Sequence, residues 1–395
     1  MEALRSLDRT SYRCWLLLAC ALFAFSAVGC AVGGGDNDDE TADESEQEGS
    51  FRLSAVTNDR GDATVSFDLP EGTTKFAVTA LLGDDDLFVR FSELVSGTGV
   101  DYLSPERESI SFADTFSRYV NTASVPSRRE DPALTNGERY TASIELEDGV
   151  GTPISGETVT FEVISKVDPG LDGGRLRLNV FFVGDVGEEQ TTKEVIRAAI
   201  PTMRSTYSAQ AGLDLDINEF EIDGPVVLPL PVTGDDFYRS AAGVGVSPSV
   251  NLFIGGDVDA RSAVGEVLGV AGGIPGPPTP TERSGVAVSI FAAAGPDGIF
   301  SAEDTRILGE TLAHETGHFL GLFHPVDFSG SQVTAADPLD DTAICGFITE
   351  CISNSELTRN LMFPSPVSDG SGGFIPQNDL TDDQRGVMNR YIVAD

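Results

Sequence analysis

The three histidines of the chain, His314, His318 and His324, fall within one stretch of eleven residues. His314 and His318 are four apart in a segment, Glu303 to Phe323, whose apolar positions Ile307, Leu308, Leu312 and Phe319 recur at helical spacing. Both imidazoles therefore leave one face of one helix. Gly321 comes a turn later, where a residue free to take positive φ ends the helix and swings the chain back, so that His324 reaches the same point. Three neutral nitrogens with a fourth position open form the donor set of a catalytic rather than a structural zinc ion, because water must bind and be activated. Glu315, next to the first donor, directs a carboxylate at that water and is the candidate general base.

Spelled out, residues 314 to 324 read His-Glu-x-x-His-x-x-Gly-x-x-His, which resembles the metzincin zinc peptidases. The resemblance implies a mixed twisted sheet, an active-site helix and a methionine in a tight turn below the metal; Met362, within Asn360-Leu361-Met362-Phe363-Pro364, is the candidate. Further segments are similar to the pappalysin and cytophagalysin branch: Leu268-Gly269-Val270-Ala271 to Pro275-Gly276, then Ser284-Gly285-Val286-Ala287-Val288, Asp340-Asp341-Thr342, and a closing helix from Leu380 through Met388. The likeness covers about 175 to 393. Many metzincins carry a Tyr two residues after the turn methionine, where Pro364 stands here, and Tyr391 is the only tyrosine downstream. Oxyanion help would then come from zinc or backbone donors.

The N-terminus reads as an export signal. Arg5, Arg9 and Arg13 precede the apolar run Trp15 to Val28, too short for a confident spanning helix. The run ends in Ala27-Val28-Gly29-Cys30, which resembles the lipobox of bacterial lipoproteins and implies lipidation of Cys30 after removal of residues 1 to 29. An outer-membrane or cell-surface lipoprotein is expected, with release into the medium as a variant of that fate. Cys14 and Cys20 leave with the signal, so Cys345 and Cys351 remain in the exported body, either as one short-loop disulfide or as two thiols.

Residues 30 to 50 are an acidic tether, too poor in apolar side chains to offset the entropy of ordering. From 51 to 165, alternating runs such as ATVSFDL, TKFAVTALL and ETVTFEVIS, separated by turn signals, predict an all-β sandwich acting as a binding module or a folding spacer. Residues 166 to 174 read as a linker. After it, strands 176–184, 213–222, 250–254 and 285–291 alternate with helical periodicity over 188–211, which predicts a mixed sheet carrying helices from 175 to 395. The fold class expected is thus α+β, a metzincin-like catalytic domain preceded by a smaller sandwich.

Charge excludes one class of partner: 25 − 63 gives −38, which repels phosphate backbones. Protein or peptide substrates remain, with the strand at 285–291 as the candidate edge on which an extended peptide pairs. Asp337, Asp340 and Asp341 are candidate Ca²⁺ ligands or a solvated acidic loop. The expected activity is zinc-dependent endopeptidase; the competing expectation is a binding lipoprotein on a degenerate scaffold, against which the presence of Glu315 argues.

Overall fold

The computed structural model describes residues 49–394, apart from 85, 104–116, 136, 168–170, 189, 232–235, 260–266 and 295–299. The signal segment, Cys30, most of the tether and the middle of the 166–174 linker therefore lie outside the described residues.

The alternating runs become eight strands: β1 (Ser50–Val56), β2 (Asp62–Asp68), β3 (Lys75–Leu81), β4 (Phe88–Ser96), β5 (Ser117–Arg118), β6 (Val120–Val125), β7 (Arg139–Glu147) and β8 (Thr158–Lys166). They form two antiparallel sheets, ordered β1-β8-β3-β6 and β2-β7-β4-β5. Every second side chain turns inward into one shared apolar core. Aromatic rings bridge the sheets, Phe67 meeting Phe76 at 5.8 Å and Phe76 meeting Tyr140 at 5.0 Å between centroids. In β3 the residues between these also lie buried, because the outer face of that sheet packs on the second half of the chain. There Lys75 Nζ donates to the carbonyls of Asn389 and Ala394, and its cross-strand neighbour Lys166 reaches Ile392 and Ala394.

The second half is built on a five-stranded sheet ordered β10-β9-β12-β15-β14, parallel except at one edge. Its strands are β9 (Gly174–Val183), β10 (Leu213–Ile222), β12 (Val250–Gly255), β14 (Gly269–Ala271) and β15 (Val286–Ser289), while the short β11 (Val227–Leu228) and β13 (Asp257–Val258) pair beside it. The inner parallel strand β12 and the second half of β9 are buried on both faces, as their near-continuous apolar runs require, while β10 at the edge alternates at its start and stays partly exposed. One face carries α1 (Asp185–Glu188), α2 (Gln190–Thr206) and, beyond the rim turn α4 (Ile290–Ala293), the long α5 (Ala302–Phe319); the other packs on α3 (Asp236–Ala242). The helical periodicity over 188–211 resolves into α2 followed by a π-helical turn, Tyr207–Ala211, closed by Gly212 in the left-handed region. After α5 come the hairpin β16 (Val326–Ser329) and β17 (Gln332–Ala336), then α6 (Ile348–Ser353), α7 (Ser355–Arg359) and α8 (Asp382–Arg390). Among the described residues no helix is long and apolar enough to cross a membrane.

One strand assignment changes function. The segment 285–291 is not an edge: β15 lies between β12 and β14, fully buried, and residues 290–293 turn into α4. The edge is β14, three residues in a Gly- and Pro-rich stretch too short to show a strand period.

Candidate metal centre

Helix α5 starts at a capping box, Ser301 accepting from Asp304 N–H while the Asp304 carboxylate accepts from Ser301 N–H. It ends three residues before Leu322, earlier than the periodicity to Phe323 suggests, because Gly321 adopts φ 105°. The N–H of Leu322 donates to Gly317 O and that of Gly321 to His318 O, each at 2.9 Å, the paired bonds that close a helix through a left-handed residue. This reversal returns the chain so that His324 faces the two helical histidines.

The three Nε2 atoms converge. His324 Nε2 lies 3.2 Å from His314 Nε2 and 3.1 Å from His318 Nε2, and the three residues are the one group of three or more potential ligands gathered this closely among the described residues. Each ring is held from behind through Nδ1: His314 donates to Leu361 O at 2.7 Å, His318 to Leu322 O at 2.7 Å, and His324 to Asp327 Oδ1 at 2.8 Å. Those bonds place the proton on Nδ1 and leave the Nε2 lone pairs pointing at a common centre. Burial holds the His314 imidazole down at about 3, with His324 adding to it, and burial with both neighbouring rings keeps His318 well below its usual range. The His314 and His318 rings are therefore neutral donors. This donor set fits a tetrahedral zinc ion with one position left for another ligand.

Glu315 sits beside the centre, buried. Its carboxyl is pushed up to about 8 by desolvation, against the opposing pull of the Ala271 N–H that donates to it. Gly269, two residues away on β14, lets the edge strand lie on this side chain, since a Cβ there would stand 2.7 Å from Glu315 Cγ. Below the triad, Met362 is fully buried in the turn Asn360–Phe363, closed by Phe363 N–H to Asn360 O at 3.1 Å. Its Sδ lies 2.7 Å from where a Cβ on Gly317 would be, so helix and turn approach this closely only with glycine at 317. The same turn supplies Leu361 O to His314.

Of the other candidates, Cys345 and Cys351 are bonded, with Cα atoms 5.4 Å apart. Asp337, Asp340 and Asp341 do not gather: Asp337 is buried, its Oδ1 accepting from Leu339 N–H and the Thr342 hydroxyl, while Asp340 and Asp341 are exposed. This arrangement corrects the calcium expectation for the three as one ligand set. The Tyr391 hydroxyl donates to Gly276 O in the core and does not stand in for the absent turn tyrosine. Sequence reasoning missed the groups behind the ligands. Asp327, three residues past His324, was open to detection as a carboxylate near a ligand; the carbonyls of Leu322 and Leu361 carry no side-chain signal.

No protein-family model matches the chain, and no curated protein does. Among solved structures, metalloproteinase-II from Bacteroides fragilis aligns at 15% identity and TM-score 0.33, over 59% of this chain and 63% of that one. Mature mirolysin of Tannerella forsythia, solved with a cleaved peptide, aligns at 14% identity and TM-score 0.34, over 55% of this chain and 96% of that one. A promirolysin variant from the same organism aligns at 13% and 0.34, over 55% and 80%. The chain thus spans less than two thirds of the Bacteroides protein. At these scores the functional reading rests on the centre itself.

Proposed function

We propose that the chain is a zinc-dependent endopeptidase, exported and held at the outer membrane or cell surface by lipid on Cys30. The observation that carries the activity is the convergence of three Nε2 atoms, each ring fixed through Nδ1, beside a buried carboxylate that has no other charge to serve. In this reading residues 175–395 are a metzincin-like catalytic domain with Met362 in its Met-turn, and 51–165 are an accessory sandwich.

His314, His318 and His324 would hold a zinc ion, which would supply polarisation of a peptide carbonyl and acidification of water. Everything else falls to the chain. Among the described residues β14 is the outermost strand, and its edge would offer backbone groups to an extended peptide, setting the scissile bond over the centre. Glu315, held by Ala271 N–H on that same strand, takes the proton of the attacking water and passes it to the leaving amine as the C–N bond breaks. Strand and base are thus registered to each other through one hydrogen bond.

Purified protein incubated with casein tests the activity: cleavage that a chelator abolishes and zinc restores, with one zinc per chain by metal analysis, is expected. A protein that binds no zinc or leaves casein intact fails the reading, and the binding-lipoprotein alternative replaces it. For the anchor, Cys30→Ser should move the protein from the detergent to the soluble fraction, and unchanged partition refutes lipidation.

A further inference from the structure

The loop that joins β14 to β15 is fixed from several directions. Gly276 N–H donates to Phe319 O at 2.9 Å at the end of α5, the Tyr391 hydroxyl donates to Gly276 O, and Glu282 pairs with Arg239 on α3. Arg283, three residues before β15, reaches out of the second half of the chain into the sandwich. Its Nη1 donates to Ser117 Oγ on β5 at 2.9 Å, and its guanidinium carbon lies 5.5 Å from the ring centre of Tyr119. Tyr119 holds that ring at a cost, since it takes φ 44°, a left-handed conformation that strains a bulky residue. Among the described residues it is the one non-glycine with positive φ, and it is buried. Burial pulls the Arg283 guanidinium below its usual value, and Tyr119 draws it partly back.

On its main-chain side Arg283 supports the strand on which a peptide would pair. Gly272 follows the last residue of β14, and its N–H donates to Gly285 O at 2.9 Å, which extends the β14–β15 pairing by one step. A Cβ on Gly272 would collide with the Arg283 carbonyl, so the two backbones touch there. Arg283 N–H donates to Thr281 Oγ1 at 3.1 Å, and the Thr281 and Ser284 hydroxyls bond each other at 2.9 Å, which stiffens the main chain around Arg283. We propose that Arg283 is a positioning residue through which the sandwich holds the edge of β14 in place for an extended protein substrate. This role rests on the peptidase reading above, and it gives the sandwich a part in substrate binding rather than in chemistry. Backbone pairing along an edge is the same in the bound substrate and in the transition state, so its loss raises KM and spares kcat.

Steady-state cleavage of a casein-derived peptide by the full chain tests it. Arg283→Ala should raise KM about ten-fold, with kcat within about two-fold of native and zinc content unchanged. Ser117→Ala removes the acceptor from the sandwich side and should raise KM about three-fold, while Ser117→Thr, which keeps the hydroxyl, should restore the native value. With both alanines present the rise should equal that of Arg283→Ala alone, because the two residues act as one unit. Unchanged KM in the single variants, a fall in kcat with KM unchanged, or additive effects overturn the assignment. If Arg283→Ala fails to fold, the two Ser117 variants decide. A second readout needs no catalysis: hydrogen exchange over 268–276 should quicken in either alanine variant, by about ten-fold in Arg283→Ala, while 250–255 stays protected. A native chain that cleaves nothing fails the peptidase reading, and exchange then decides the tie by itself. Local quickening supports it, and unchanged rates or quickening throughout the second half overturn it.

Discussion

The two halves of the molecule bury opposite things. Inside the sandwich the shared core is mainly apolar, an aromatic ladder through Phe67, Phe76 and Tyr140 whose contacts stabilise without any chemistry, with Asn121 Nδ2 donating from β6 to Val89 O on β4. Around α5 the interior holds Glu310, Glu315, His318, Asn360 and Gln384, groups that cost free energy to desolvate. Some are repaid locally: Asn360 and Gln384 bond each other, and Glu310 pairs with Arg306. Glu315 takes one bond from Ala271 N–H and each imidazole spends its Nδ1 proton on an acceptor behind it, which leaves the three converging Nε2 lone pairs to be repaid by what binds between them. A substitution in the first half should therefore cost stability and spare chemistry, and one in the second should do the reverse.

The sharpest break of that contrast is at the ligands. His318→Ala removes one of three donors and should lose zinc and proteolysis together, read by metal analysis and peptide hydrolysis. Glu315→Gln keeps all three donors, so near-stoichiometric metal and the native melting profile should persist while the rate falls by about 10² to 10⁴, since an amide cannot take the proton. If Glu315→Gln cleaves at the native rate, the base has been misassigned. In the sandwich, Phe76→Ala should cost about 3–5 kcal/mol of unfolding free energy in urea, with kcat on a peptide unchanged below the transition. A large fall in kcat there would mean that the docking through Lys75 and Lys166 transmits to the centre.

How much of this was legible in the sequence follows from the range of each interaction. The triad, Glu315 and the helix end at Gly321 rest on spacing within eleven residues, and the structure brings those side chains to one point. The sandwich strands likewise declare themselves by a period of two. Strand order is different, because nothing local separates the edge from the interior. β14 and β15 are joined through a Gly- and Pro-rich segment, and only the pairing of β15 with β12 makes the longer, more apolar strand the inner one. The tie from Arg283 to Ser117 was equally hidden, since the two lie 166 residues apart and meet only in the folded chain.

A smaller effect should appear as pH dependence. The Asp337 carboxyl is raised from 3.8 to about 6 on folding, so the native state binds the extra proton between those values. Stability from this group is therefore complete below pH 4 and lost as pH rises through 6, a difference of about 3 kcal/mol. Measured as native chain against Asp337→Asn, which cancels the repulsion of all other acids, the native chain should lose ground from pH 4 to pH 6 and run parallel above. A flat difference across that window would place the carboxylate in a better solvated setting.

The smallest predicted effect is confined to one side of the comparison. The Cys345–Cys351 bond closes a loop with a sequence separation of six, for which the loss of chain entropy in the unfolded state amounts to about 2 kcal/mol. Both cysteines pack in a small apolar cluster with Val326, Leu357 and Phe363, and Phe363 is the residue after Met362. The same loop is tied to the β16–β17 hairpin, Val333 N–H donating to Gly346 O at 3.3 Å and Ile348 N–H to Ser331 O at 3.0 Å. Reduction should thus lower the unfolding free energy of the metal-centre half by about that amount and leave the sandwich transition where it was. Calorimetry with and without a reductant separates the two. Because the cluster underlies the turn that supplies Leu361 O to His314, zinc affinity should fall with reduction while sandwich stability does not; equal shifts in both transitions would mean that the halves unfold as one unit.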